Sequence, residues 1–268
     1  MRNLLRIEAF KLRKGLTVKV LALVSVGYAV LIIGLFQMLE LILDSTDTGI
    51  PDEVSNVIPA FRLTGLNALQ SADLYSLIQI FMLVLLAALF SSEYARSTLK
   101  IMLVGGTDRV RLYLSKFVVL ALALFGYSLA GVALITLFAA LVNGWGGTFE
   151  WVQLIRIGGV ALRITLLNLV YGALLAGVAI LTKSTGIVIA IGIGLQFAEG
   201  LITTVVQLVD NPIIDFLTRL IPSGYVIPFS ALTVKTPMLL QGIAVSFVLI
   251  AVFLAIGIRL FRRQDISA

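Results

Sequence analysis

Two places in this chain hold residues whose types and spacing could do chemistry. Glu199 sits in a long apolar run, one turn after Gln196 and close to Gly192, Gly194 and Gly200. An acid in such surroundings either lines a path for a polar substrate or serves as a hydrogen-bonding group that fixes helix packing. The second place is SSEYARSTLKIMLVGGTDRVRLYLSK, residues 91–116, where basic groups alternate with apolar Leu99, Met102 and Leu103. Other chemistry is limited by two counts, since the chain has no histidine and no cysteine. His-dependent triads, thiol nucleophiles, zinc fingers, thiolate clusters and His-ligated haem are excluded. A metal or catalytic site would have to come from carboxylates, hydroxyls, amides or lysine. The sequence has no cluster of catalytic carboxylates and no Ser/Lys pair expected to meet at depth, so an intramembrane enzyme has no candidate centre.

The elements that position these residues follow from composition. The 268 residues are 60% hydrophobic and 13% charged, against about 45–50% and about 25% in soluble domains. A spanning helix needs about 20 mostly apolar residues, because the hydrocarbon core is about 30 Å thick. Six segments qualify, at about 17–43, 74–90, 117–142, 157–182, 187–209 and 238–261. The alternative for the first, a cleaved signal peptide, is disfavoured by its length and by the lack of a small-residue cleavage site before Glu40. The expected fold is therefore an all-α integral membrane protein of six transmembrane helices in one domain, 1–268.

Lys and Arg collect on the cytoplasmic side of membrane proteins. Arg2, Arg6, Lys11, Arg13, Lys14 and Lys19 precede or open the first span, and Arg96, Lys100, Arg109, Arg111 and Lys116 lie between the second and third. With Lys183, Arg259, Arg262 and Arg263, fifteen of the twenty basic residues fall on one side. The opposite loops hold most of the acids, from Asp44, Asp47 and Asp52 to Asp210 and Asp215. Both termini are expected to be cytoplasmic. The +6 net charge is this asymmetry, and no basic stripe interleaved with aromatics points to a nucleic acid.

Residues 1–16 are too charged to cross a membrane. On a helix Arg2, Arg6 and Arg13 fall along one strip and Leu5, Leu12 and Leu16 along another, which suits an interfacial helix against the inner leaflet; a plain basic tail is the alternative. Trp145 and Trp151 stand where an aromatic belt would place them. The segment 210–237 contains IIDFLTRLIP, a candidate short amphipathic or re-entrant helix, and Pro222, Pro228 and Pro237 argue against another span. In the fourth span Asn168 and Arg163 read as structural, with Arg163 near enough to the end to snorkel. Gly172, Ala173 and Gly177 suit close helix packing.

The loop 91–116 reads as a helix broken at Gly105-Gly106 and restarted at Thr107-Asp108. Such a helix can dock a soluble partner, or it is simply the basic inner loop that many membrane proteins have. The run Glu93-Tyr94, Thr98-Leu99, Met102-Leu103, Gly106, Arg109 and Lys116 resembles the first cytoplasmic loop of ABC-2 type transporter permeases. It departs from that pattern at Ser97, where glycine is common, and at Val104, which breaks a leucine pair. The amino end, with Arg2, Arg6, Glu8, Lys11 and Arg13, is similar to the family's interfacial elbow, and the six-span layout matches over the whole chain.

The resemblance implies a permease subunit of an ATP-driven bacterial exporter. Its loop helix, about 93–104, would touch a separate cytoplasmic ATPase dimer, and a second copy or a sister permease would complete the transporter. ATP and Mg would bind the partner, so this chain would be neither an enzyme nor a cofactor carrier. In agreement, no G-x-x-x-x-G-K-[ST] phosphate loop occurs in the sequence. Substrates in the family include peptides, antibiotics, lipids and glycans, and the expected location is the plasma membrane. The competing reading is an ATP-independent secondary transporter or channel, which would carry paired broken helices and several buried ionisable residues. This chain has one, Glu199, and Gln196 and Glu199 are the substrate-path candidates.

Overall fold

The computed structural model describes residues 2–45, 63–70, 77–91, 108–208, 221–225 and 236–263. These form α1 (Arg2–Lys14), α2 (Leu16–Ser45), the short α3 (Gly65–Gln70), α4 (Leu77–Leu86) ending in a π turn (Ala87–Ser91), α5 (Arg109–Asn143), α6 (Val152–Thr182), α7 (Thr185–Leu208) and α8 (Thr236–Arg263). A single turn of 3-10 helix, Pro222–Tyr225, precedes α8. No strand occurs among the described residues. Five helices, α2, α5, α6, α7 and α8, are long and apolar enough to cross a bilayer. The protein is an all-α, multi-pass membrane protein.

Six spans were the expectation, and the second, at 74–90, is described from residue 77 onward. Over 77–91 it offers fifteen helical residues, about 22 Å at 1.5 Å per residue, short of a full hydrocarbon core. The residues before it, 71–76, lie outside the described set, as do 46–62, 209–220 and 226–235. The other helices overrun their expected bounds. Helix α5 begins eight residues before the apolar run because Asp108 caps it, its carboxylate accepting from the Val110 N–H at 3.2 Å. Helix α6 ends where expected, with Lys183 left-handed at φ 53° and its N–H on the Ala179 carbonyl at 3.0 Å.

Helix α6 is the centre of the bundle, with 72% of its most apolar window buried, against 11% for α7. Small residues allow this. A β-carbon at Gly177 would lie only 4.0 Å from the Gly257 Cα of α8, and one at Gly172 would lie 3.4 Å from Leu120 Cδ2 of α5. The largest apolar cluster joins α4, α5 and α6 through Met82, Leu86, Leu120, Leu175 and Ala176, with α1, α2 and α8 packed around it. Helices α2, α7 and α8 leave Leu23, Leu35, Phe197, Leu201 and Phe247 exposed, which would cost nothing against hydrocarbon.

At the end where α5 stops, α3 docks on the turn that follows. Gly65 and Leu66 donate their N–H groups to the carbonyls of Gly144 and Trp145 at 3.2 and 3.0 Å, and Asn143 Nδ2 reaches the Leu63 carbonyl at 3.1 Å. Trp145 departs from the aromatic-belt expectation. Its ring covers Gly65, 2.8 Å from where a β-carbon would stand, whereas Trp151 is exposed as a belt residue would be. Tyr225, in the turn before α8, is buried against Leu167.

Helix α7 meets the bundle through buried Val188 and through a close approach at Gly192. A β-carbon there would collide with Leu83 and lie 3.2 Å from Leu175 Cδ1. Gly192→Val is therefore expected to destabilise the protein by about 1–3 kcal/mol, seen as a lower thermal unfolding midpoint in detergent. Gly194→Val, on the open side of the same helix, should leave the midpoint nearly unchanged.

Candidate functional site

The two groups singled out by residue type are joined in a way their positions do not announce. Glu8, in the middle of α1, is 1% exposed, and Lys116, in α5, is 2% exposed. Lys116 Nζ lies 3.2 Å from Glu8 Oε2 and donates to the Leu89 carbonyl at 3.1 Å. Lys11 Nζ stands 3.4 Å from the other oxygen, Oε1. Both carboxylate oxygens and the buried ammonium are thus engaged. The Leu89 carbonyl belongs to the π turn of α4, where wider hydrogen-bond spacing interrupts the regular ladder. One ion pair fixes three elements: the elbow helix, the end of α4 and the start of α5.

The elbow folds onto the bundle through Leu4, Leu5 and Leu12, which pack against the large cluster, with Glu8 between them. Arg6 and Arg13 are exposed, as the strip of basic residues requires, and the side chain of Arg2 lies outside the described residues. Leu16 departs from the expected apolar strip and is 75% exposed. The helix ends first: the Gly15 N–H bonds the Lys11 and Leu12 carbonyls at 3.0 and 3.2 Å, and the chain turns into α2.

A second fastening lies beside the first. Arg109, at the start of α5, donates from Nη1 to the carbonyls of Phe261 and Arg262 at 3.4 and 3.1 Å, at the last turn of α8. Those carbonyls carry the partial negative charge of a helix C-terminus, so a guanidinium is well placed there. Tyr113, one turn on, stacks between Phe90 of the π turn and Phe261 of α8, with ring centroids 5.5 and 6.0 Å away. Its hydroxyl is buried without a hydrogen-bond partner among the described residues and occupies the place a β-carbon would take at Gly257. The ends of α4 and α8, the body of α1 and the start of α5 are fastened into one base. Ser91 and Asp108, the described residues on either side of 92–107, both belong to it.

Of the loop residues named from the sequence, Glu93, Tyr94, Thr98, Leu99, Met102, Leu103 and Gly106 lie outside the described residues. Arg109 and Lys116 are described, and both are engaged within the chain: Lys116 is buried, while Arg109 is half-exposed. Lys116 was grouped with the docking loop and Glu8 with the elbow; the structure makes them partners.

The intramembrane acid also has a partner. The Tyr171 hydroxyl of α6 donates to Glu199 Oε2 of α7. Tyr171 is buried and Glu199 and Gln196 half-buried. One turn before Tyr171, Asn168 is buried with Nδ2 on the Ile164 carbonyl at 2.9 Å and Oδ1 without a hydrogen-bond partner among the described residues. Nothing in the sequence distinguished Tyr171 from other aromatics in apolar helices. Arg163 folds back onto the Gly159 carbonyl at 3.1 Å. Among the described residues no three acidic side chains gather as a metal site would require.

Fold and site together define a multi-pass helical membrane protein with an ion-paired base at one end and a single acid–tyrosine pair between α6 and α7. The chain belongs to the family described as protein of unknown function (DUF2705), whose model matches residues 30–267. No curated protein matches it.

Leaving one partner of a buried pair unpaired typically costs about 3–5 kcal/mol. Glu8→Gln or Lys116→Met alone is expected to lower the unfolding midpoint sharply, and Glu8→Leu with Lys116→Met together to cost less than the sum of the singles. A thermal-unfolding double-mutant cycle in detergent measures this coupling; additive losses would mean that the two residues do not interact.

Proposed function

We propose that this chain is the transmembrane permease subunit of an ATP-driven ABC-2 type exporter in the plasma membrane. In this reading it has six spans, with α4 completing the second through the residues before it, and its basic end with both termini faces the cytoplasm. Segment 92–107 docks a separate ATPase dimer that binds ATP and Mg. The observation that carries the reading is the fastening on both sides of that segment. Lys116 ties the start of α5 to α1 and α4, and Arg109 ties it to α8. A partner that pushes on the segment therefore moves four helices together, which is what coupling ATP hydrolysis to a bundle requires.

The opposite requirement, a moving seam, is supported by α7. Among the described residues it is the least covered of the spanning helices, yet it carries Gln196 and Glu199. A charged group at mid-bilayer costs about 2.5–3.5 kcal/mol on insertion scales, so its polar face calls for cover that the described residues do not wholly supply. A second copy or a sister permease would supply it, and Tyr171 would hold Glu199 at the edge of a path for a peptide, antibiotic or other amphipathic substrate. The small loops between the spans leave recognition to the membrane-embedded surface.

Affinity purification of the tagged chain from its native membrane is expected to recover a soluble ATPase containing a G-x-x-x-x-G-K-[ST] loop. Leu99→Glu, which places a charge in an apolar docking surface, should weaken that association by at least about tenfold, roughly the effect of losing one interface anchor, with the unfolding midpoint of the chain retained. Absence of any such ATPase, with ATP-independent flux in reconstituted vesicles, would establish the secondary transporter or channel instead.

A further inference from the structure

A cleft of about 820 Å³ opens between the last turn of α1, the first turn of α2, the π turn of α4 and the start of α7. Its volume lies within the range of about 300–1,000 Å³ usual for small-molecule sites. Lys11 and Lys14 stand on one wall and Thr185, the first residue of α7, on another. The first N–H groups of a 24-residue helix have no partner within the helix and carry partial positive charge. Among the described residues Glu8 is the one acid lining the cleft, and its two oxygens are engaged by Lys11 and Lys116. The mouth of the cleft is therefore cationic. Its deeper walls are apolar, formed by Val84, Ala88 and Ile189. Val84 lies seven residues before the end of the π turn, about 10 Å along the helix, so the cleft runs from the level of the basic residues into the depth of the spans.

A cationic mouth over an apolar shaft, at the boundary of a membrane helix bundle, matches a molecule with an anionic head and a hydrocarbon tail. We infer that this cleft is a binding site for one anionic phospholipid. The phosphate sits between Lys11, Lys14 and the N-terminal turn of α7, and one acyl chain follows Val84, Ala88 and Ile189. Such a lipid wedges the elbow against α4 and α7, next to the Glu8–Lys116 pair. This goes beyond the transport reading and holds whether or not an ATPase is involved.

The test is native mass spectrometry of the purified full chain in detergent, titrated with phosphatidylglycerol, with phosphatidylcholine of the same acyl chains, and with glycerol 1-phosphate. Phosphatidylglycerol is expected to bind at one copy per chain in preference to phosphatidylcholine. Lys14→Gln should weaken it by about fivefold, the worth of one basic residue near an anionic surface, and Lys11→Gln with Lys14→Gln by more. Ile189→Trp on one wall and Ala88→Leu on another should each displace the lipid with the charges intact. Equal retention of both phospholipids, or phosphatidylglycerol binding unaffected by both wall variants, would reduce the site to ordinary annular lipid and overturn the inference. Glycerol 1-phosphate binding as tightly as the lipid would overturn the acyl shaft.

Discussion

A carboxylate and an ammonium taken out of water at one end of the bundle constrain the rest of this structure. Glu8 and Lys116 are each almost fully covered, and neither can be buried alone. Their meeting compels α1 to lie across the start of α5, and the Leu89 carbonyl that completes the site compels the π turn of α4 to stand beside them. Leu4, Leu5 and Leu12 bring the elbow down onto apolar surface, but leucines alone would tolerate sliding. The ion pair sets the register. Arg109 then draws the end of α8 to the same place, and Tyr113 fills the space between Phe90 and Phe261.

Away from that base the packing is graded rather than uniform. Helix α6 is enclosed because its glycines and alanines let α5 and α8 approach it closely. Helix α7 touches the bundle at Val188, Gly192 and Leu195 and is otherwise largely uncovered, carrying Glu199 held by Tyr171. A fastened base and core beside a loosely covered helix with a polar stripe is the division of labour that an alternating-access machine needs: one part receives force, and another part moves against a neighbour. The cationic cleft beneath the elbow sits where these two parts meet, since α4 and α7 both line it.

Much of the fold was legible in the sequence because hydropathy over 20 residues is a coarse and strong signal. It located all five long spans and most of their ends, with Lys183 as the stop of α6. It ran short where local chemistry extends or interrupts a helix, as at the Asp108 cap of α5 and the π turn of α4. The site was less legible. Glu8 and Lys116 are 108 residues apart, and each reads as an ordinary member of a basic segment. Their pairing depends on how α1 crosses α5, which no local pattern encodes. A single acid amid arginines and lysines on an otherwise apolar helix face was the available hint. Tyr171 was hidden for a different reason, since a tyrosine in an apolar helix looks like packing until the residue opposite its hydroxyl is known.

On the proposed function, two copies of this chain, or this chain and a sister, change their separation as a partner hydrolyses ATP. The absence of native cysteine makes it directly accessible. Phe197, 72% exposed on α7, can be replaced by cysteine and spin-labelled, and the distance between labels on the two halves measured in reconstituted vesicles by pulsed electron paramagnetic resonance. The account predicts a defined inter-subunit distance that shifts when ATP and Mg are added with the ATPase partner and returns after hydrolysis. A distance that ignores ATP, or the absence of any inter-subunit distance, would contradict it.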